Sequence, residues 1–322
     1  MTEHPIRIVF LDAATLRPDT VLAPFSFPHT LTRHERTAPA ETGPRLAEAE
    51  VALVNKVRIG AAEMDAAPNL RLIAIAATGT DNVDLDAARA RGIVVANVRD
   101  YARATVPEHT FALILALRRS LVPYRASVLA GRWQEAAQFS YHDFPIADLA
   151  GSTLGIVGSG SLGSRVAEIG RAFGMEPIFA ARRTGSGGRP DAVPFPEFLT
   201  RADVVSLHCP LTPETAGLFG TAEFAAMKPT ALLINTARAG LVDVEALAAA
   251  LERGDIAGAG IDVAAPAPPP AESPIMRLAV RPNVIVTPHV GWASREAVQG
   301  LADRVVANVE AWAAGAPTNR VA

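Results

Sequence analysis

Cysteine is almost absent: Cys209 is the single thiol in 322 residues. No internal disulfide can form, and a reducing cytoplasm is the expected compartment. Neither sign of charge dominates, since 30 Lys and Arg stand against 33 Asp and Glu for a formal net charge of -3. That balance gives no electrostatic reason to expect a nucleic acid or an anionic membrane as partner. No apolar run approaches the ~20 residues that a membrane-spanning helix requires. The start, Met1-Thr2-Glu3-His4-Pro5, lacks the basic and apolar regions of a signal peptide. Internal repeats and long low-complexity tracts are also missing. What is present is 49% apolar and 20% charged residues, the composition of a globular protein with a large core. The length makes two domains the natural expectation.

The chain is organised around Thr153-Leu154-Gly155-Ile156-Val157-Gly158-Ser159-Gly160-Ser161-Leu162-Gly163. A short apolar run ends in glycines spaced G-x-G-x-x-G, and an amphipathic helical pattern follows at once. Gly158 permits a tight strand-to-helix turn, Gly160 lets the backbone approach a pyrophosphate, and Gly163 lets the helix pack closely on the strand. Free N–H groups at the helix start, around Ser159, Ser161 and Leu162, would then face the phosphates with the helix dipole behind them. Glycine clusters also make ordinary turns in other α/β sheets. The order of strand, glycines and helix carries the dinucleotide reading.

Buried strands are expected at Ile6-Arg7-Ile8-Val9-Phe10-Leu11, Val51-Ala52-Leu53-Val54 and Leu72-Ile73-Ala74-Ile75-Ala76, with polar or helical stretches between them. From Leu154 the alternation restarts, with strands at 176–180, 203–207, 231–236, 258–263 and 283–287 and a helix at 244–251. Strands alternating with helices argue for parallel sheets. Residues 77–84 form a loop of small polar residues at the C-terminal end of the third strand, either a ligand site or a plain connection. Residues 103–130 read as one long helix carrying the chain from the first domain to the second, with Pro107 tolerated near its start and Pro123 kinking or ending it. Glu108 and His109 read as packed or solvated residues of that helix rather than ligands. Pro266-Ala267-Pro268-Pro269-Pro270 must be a stiff loop. Residues 294–313 form a closing helix expected to return to the first domain.

Which nicotinamide would bind is read from the end of the domain's second strand, Phe179-Ala180-Ala181-Arg182-Arg183-Thr184. An NAD-preferring site places an acid there, about 20 residues beyond the glycines. None is present. Guanidinium forks and a hydroxyl suit a 2′-phosphate, so Ala181, Arg182, Arg183 and Thr184 favour NADP over NAD. The alternative is a solvated basic loop that is silent on the cofactor.

Five ordered motifs carry a resemblance over almost the whole chain. They are Ala76-Ala77-Thr78-Gly79-Thr80-Asp81-Asn82-Val83-Asp84, Val157-Gly158-Ser159-Gly160-Ser161-Leu162-Gly163, His208-Cys209-Pro210-Leu211-Thr212-Pro213-Glu214-Thr215, Asn235-Thr236-Ala237-Arg238 and Thr287-Pro288-His289. Together they resemble the D-isomer-specific 2-hydroxyacid dehydrogenase family. Asn55-Lys56 and His289-Val290-Gly291-Trp292-Ala293-Ser294 look most like its glycerate dehydrogenase and hydroxypyruvate (glyoxylate) reductase branch. The resemblance implies an α/β protein of two Rossmann-like domains with parallel sheets and an active site in the cleft between them. Residues 1–100 with 290–322 would form a discontinuous substrate domain, and 101–289 the dinucleotide-binding domain. It implies a homodimer, no metal, and a small 2-oxo acid or its D-2-hydroxy acid as substrate.

By the same resemblance Arg238 holds the substrate's carboxylate and keto oxygen, and His289 is the acid/base that protonates the oxygen as hydride arrives. The backbone at Thr78 and Gly79 binds the carboxylate, Trp292 lines the substrate's side, and Asp262 lies near the nicotinamide carboxamide. His208, Cys209, Pro210, Thr236 and Ala237 line the cofactor. The residue types fit the chemistry: arginine is a planar, always-charged bidentate partner for an α-keto acid, and histidine is a proton donor titrating near neutrality.

One departure stands out. The family pattern has a glutamate ahead of the proline-rich turn, bonded to the catalytic histidine, where this chain reads Asp262-Val263-Ala264-Ala265-Pro266-Ala267-Pro268. With Ala267 there, the imidazole would titrate at or below roughly 6.5 and be less firmly oriented. Part of a general acid–base contribution of roughly 10²–10⁴-fold would be at risk. Glu272 on the same loop reads as a surface residue that could swing in as a substitute. A catalytically weak dinucleotide-binding protein therefore stands as the alternative to a working reductase.

Overall fold

A computed structural model describes residues 4–183 and 189–322, so Thr184 lies outside the described residues. The chain divides into two compact units, Met1–Ala102 with Ala293–Ala322, and Arg103–Trp292.

The first unit holds strands β1 (Ile6–Phe10), β2 (His29–Arg33), β3 (Val51–Val54), β4 (Leu72–Ile75) and β5 (Val94–Ala96). They form a parallel sheet in the order β2-β1-β3-β4-β5. Every residue of β3 and β4 is buried, as unbroken Val, Ala, Leu and Ile runs require of central parallel strands. β2 reads His29-Thr30-Leu31-Thr32-Arg33 and is half-exposed at the edge. The polar alternation hides it from a search for apolar runs, and β5 is hidden by its brevity. Asp12, 4% exposed, follows β1 and accepts the N–H groups of Asn55, Lys56 and Val57 at 2.9, 2.6 and 3.0 Å. One carboxylate thereby fixes the loop after β3. The helix Arg295–Ala313, capped by Ser294 Oγ accepting from Ala297 N at 3.2 Å, lies against β4.

The second unit holds β6 (Thr153–Val157), β7 (Glu176–Phe179), β8 (Val204–Leu207), β9 (Leu232–Asn235), β10 (Gly258–Ile261) and β11 (Val284–Val286). The sheet is parallel in the order β11-β10-β9-β8-β6-β7. The chain runs outward from β6 to β7, then crosses back to β8 and builds in the opposite direction. The crevice at that reversal is where open α/β sheets bind ligands.

Residues 103–130 differ from expectation. They form two helices, Thr105–Arg118 and Leu121–Leu129, broken at Ser120, which is left-handed at φ 48°. The break precedes Pro123, which sits in the first turn of the second helix, where no intrahelical donor is needed. Ser120 Oγ donates to Pro145 O at 2.6 Å, securing the turn by a contact distant in sequence. The first helix is seated on the sheet so closely that a Cβ on Gly260 would lie 3.0 Å from Leu113 Cβ.

Candidate active site

The proposed residues of the second unit all lie beyond the C-terminal ends of strands in one sheet. Gly158–Gly163 follow β6, Ala181–Arg183 follow β7, His208–Pro210 follow β8, Thr236–Arg238 follow β9, Asp262 follows β10 and His289 follows β11. Parallel strands end on one edge, so residues far apart in sequence share it.

The glycine turn fits a dinucleotide on its own geometry. Gly158 has φ 105°, and a Cβ there would lie 2.6 Å from the His208 carbonyl carbon. A Cβ on Gly163 would overlap the Gly158 carbonyl oxygen, whereas none of the described residues lies within 4 Å of the Cβ position at Gly160. Two glycines are thus required by protein contacts, and the third leaves open space at the N-terminus of the helix Ser161–Ala172. The first N–H groups of that helix have no intrahelical acceptors, so Ser161, Leu162 and Gly163 present donors for phosphate oxygens.

At the end of β7 the two arginines part company. Arg183 pairs with Glu223 at 3.2 Å and lies 5.4 Å from the Phe195 ring centre, so it is partly neutralised. Arg182 is exposed and remains the cation suited to a 2′-phosphate. His208 is half-buried, and burial lowers its imidazole to about 4. It stays neutral at physiological pH while Nε2 pairs with Ser206 Oγ at 2.8 Å. Burial raises the Cys209 thiol, keeping it protonated.

Arg238 stands on a turn built by Asn235. The Asn235 Nδ2 donates to Arg238 O at 2.9 Å, and its Oδ1 accepts from Ala237 N at 3.0 Å. The buried asparagine (1% exposed) therefore closes Asn235-Thr236-Ala237-Arg238 into one shape.

Asp262 organises the turn that bears His289. It is 2% exposed and accepts from Thr287 Oγ1 at 2.6 Å, Val290 N at 2.9 Å and Gly291 N at 2.8 Å, with His109 Nε2 3.4 Å away. Burial pushes this carboxyl up, but bonds from His109, Thr287, Gly291 and Val290 together bring it below its ordinary value. His289 itself is left-handed at φ 58°, a conformation that non-glycine residues seldom adopt and that clusters at functional sites. Trp292 Nε1 donates to His289 O at 3.0 Å, closing the turn from the other side. Ala267 and Glu272 are both exposed.

In the first unit, Thr78 Oγ1 donates to Val98 O and Asn97 Nδ2 donates to Thr78 O, both at 2.7 Å. These bonds pin the loop that continues into Gly79. Asn55, 2% exposed, has an Nδ2 without a hydrogen-bond partner among the described residues. It stands beside this loop, because Val54 pairs with Ile75 at the ends of β3 and β4. A stranded buried donor costs about 1–3 kcal/mol.

Reasoning from sequence missed three contributors: Asn55 as a free donor, Asn235 as a turn former and His109 as a partner of Thr287. His109 is packed as expected, but its Nε2 also bonds Thr287 Oγ1 at 3.0 Å, within the network of the His289 turn. A signal was available in Thr105 and His109, polar residues one helical turn apart beside the apolar Phe111, Leu113 and Ile114.

Residues 111–291 match the D-isomer specific 2-hydroxyacid dehydrogenase family, NAD binding domain. A glycerate dehydrogenase of Methylorubrum extorquens is 49% identical over 316 residues, 98% of each chain. A hydroxypyruvate reductase of Blautia hydrogenotrophica is 32% identical over 280 residues, 86% of each. The solved NADPH-dependent glyoxylate/hydroxypyruvate reductase of Sinorhizobium meliloti, in complex with NADP and malonate, matches with a TM-score of 0.82 at 29% identity, covering 98% of this chain and 97% of that one. The glycine turn, the strand-end residues and these likenesses converge: the chain belongs to the D-isomer specific 2-hydroxyacid dehydrogenase family and is an NAD(P)-dependent oxidoreductase.

Proposed function

We propose that this enzyme reduces small 2-oxo acids of the glyoxylate and hydroxypyruvate type to D-2-hydroxy acids, with NADPH preferred over NADH. The nicotinamide, when bound, supplies the hydride for C2 of the acid. Arg238 holds the substrate carboxylate and keto oxygen and draws charge from the carbonyl. His289 donates a proton to that oxygen as it gains negative charge, completing the alcohol; oxidation runs the same transfer in reverse. The Thr78–Gly79 backbone offers N–H groups to a carboxylate, Asn55 Nδ2 suits a distal substrate oxygen, and Trp292 borders the His289 turn. His208, Cys209, Pro210, Thr236, Ala237 and Asp262 line or brace the cofactor side. The observation that carries this reading is the Asp262-clamped turn holding His289 left-handed on the strand edge that also bears the glycine turn and Arg238.

The arginine pair supports NADPH, with Arg182 as the main contact, since Glu223 already engages Arg183. A catalytically idle binding protein, the alternative raised by Ala267, finds no support among the relatives and would leave Arg238 and His289 without work. Surface chemistry supports a homodimer. Leu121, Val122, Leu129, Trp133, Phe139 and Ile146 are 48–88% exposed, and the helix Leu121–Leu129 has no buried residue. A second copy covering this surface would remove it from water. The free Cys209 suits a cytoplasmic setting.

The test is oxidation of NADPH and NADH with glyoxylate and hydroxypyruvate across pH 5 to 8, for the parent protein and Arg238→Ala. Turnover that favours NADPH and is lost in the variant is expected. Full activity in the variant would remove the role given to Arg238, and a parent protein that binds NADPH but reduces neither acid would overturn the reading.

A further inference from the structure

We propose that His109 is a positioning residue for proton transfer, setting the His289 turn through Thr287 and Asp262; the inference rests on the reductase reading above. Thr287 has a single hydroxyl hydrogen, and its Oγ1 lies 2.6 Å from Asp262 Oδ1 and 3.0 Å from His109 Nε2. An ionised carboxylate only accepts. The Thr287 hydrogen therefore goes to Asp262, Thr287 accepts from the ring, and His109 carries a hydrogen on Nε2. An ordered relay results, from His109 Nε2–H to Thr287 Oγ1–H to the Asp262 carboxylate, each bond polarising the next.

Shape argues the same way. A Cβ on Gly291 would lie 2.9 Å from Asp262 Oδ2 and 3.2 Å from His109 Cδ2, so the imidazole is part of the wall against which the turn rests. Thr105, one turn earlier on the same helix, donates to Gly291 O at 3.0 Å. Thr110, fully buried, pairs with Thr236 Oγ1 at 3.2 Å, on the segment leading to Arg238. The helix Thr105–Arg118 thus holds both segments, the one that carries the proton donor and the one that carries the substrate's arginine. Seated on β10 through Leu113 and Gly260, it has little freedom to move and absorb a lost contact.

The experiment measures hydroxypyruvate reduction and NADPH binding, the latter by fluorescence titration, for His109→Leu, His109→Gln, Thr287→Val and the His109→Leu/Thr287→Val pair. In His109→Leu, kcat falls about tenfold to a hundredfold, while NADPH affinity and the KM for hydroxypyruvate stay within about threefold. The Gln side chain can present an N–H to Thr287, so His109→Gln returns kcat to within about threefold of the parent. Thr287→Val breaks the relay at its other end and gives the same loss, even if the leucine variant does not fold. The double variant loses no more than the larger single loss, as members of one network do. Full kcat in His109→Leu, a loss confined to NADPH affinity, or no restoration by glutamine in a protein that still binds NADPH would overturn the proposal. A parent protein without 2-oxo acid reduction would overturn the reading beneath it and the inference together.

Discussion

Acidification from pH 7.5 to 5 should destabilise the second unit by about 2 kcal/mol through His208 alone. The imidazole titrates near 6.5 in an unfolded chain and at about 4 in the folded protein, lowered by burial. Between those values the unfolded chain binds a proton that the folded chain refuses, so falling pH favours unfolding. The contribution is intact above roughly pH 6.5, declines through the interval and levels off once the folded ring itself protonates. At about 1.36 kcal/mol per pKa unit the full effect is ~3.4 kcal/mol, of which ~2 kcal/mol has been lost at pH 5. Urea denaturation followed by tryptophan fluorescence, at pH 7.5 and 5 for the parent and for His208→Asn, isolates it. The parent should lose about 2 kcal/mol more than the variant, or roughly 4–8 °C in Tm for a unit of this size. Parallel losses in the two proteins would mean that the ring is solvated and that the account of His208 as a neutral strand-end residue is wrong.

Three further outcomes follow from the site. Arg182→Ala should raise the KM for NADPH by about ten- to a hundredfold and leave that for NADH nearly unchanged, since a charged hydrogen bond contributes ~1.5–3 kcal/mol; equal effects on both cofactors in steady-state kinetics would refute a 2′-phosphate contact. Asp262→Asn leaves one good acceptor for three donors and should lower kcat by roughly 10²-fold, whereas a rise in cofactor KM alone would point to direct contact with the nicotinamide instead of anchoring of the His289 turn. Ala267→Glu should extend 2-oxo acid reduction towards higher pH by about one unit or more, because a carboxylate near an imidazole favours its charged form; a pH profile that does not move would mean that the new side chain fails to reach the histidine.

Much of the fold is written in short-range pattern. Central parallel strands must be apolar on both faces, so Val51–Val54, Leu72–Ile75 and Val204–Leu207 declare themselves, while the exposed edge strand His29–Arg33 does not. The helix break at Ser120 escapes local rules because Pro145, far along the chain, supplies the acceptor that closes it. The same division runs through the site. The glycine turn is readable because its steric demands fall within six residues, from Gly158 to Gly163. Arg182 and Arg183 look alike in sequence, and only the fold brings Glu223 to one of them. His109 looks like an ordinary helical histidine because its partner Thr287 lies 178 residues away. Ala267 is the most instructive residue, since its identity is plain in the sequence but its consequence is not. A missing carboxylate deprives an imidazole of both charge stabilisation and orientation. The Asp262 clamp supplies orientation through the backbone, by way of Val290 and Gly291, but does not by that route restore a charge beside the ring. Orientation of the donor therefore comes from the fold around Asp262 and survives an alanine at position 267.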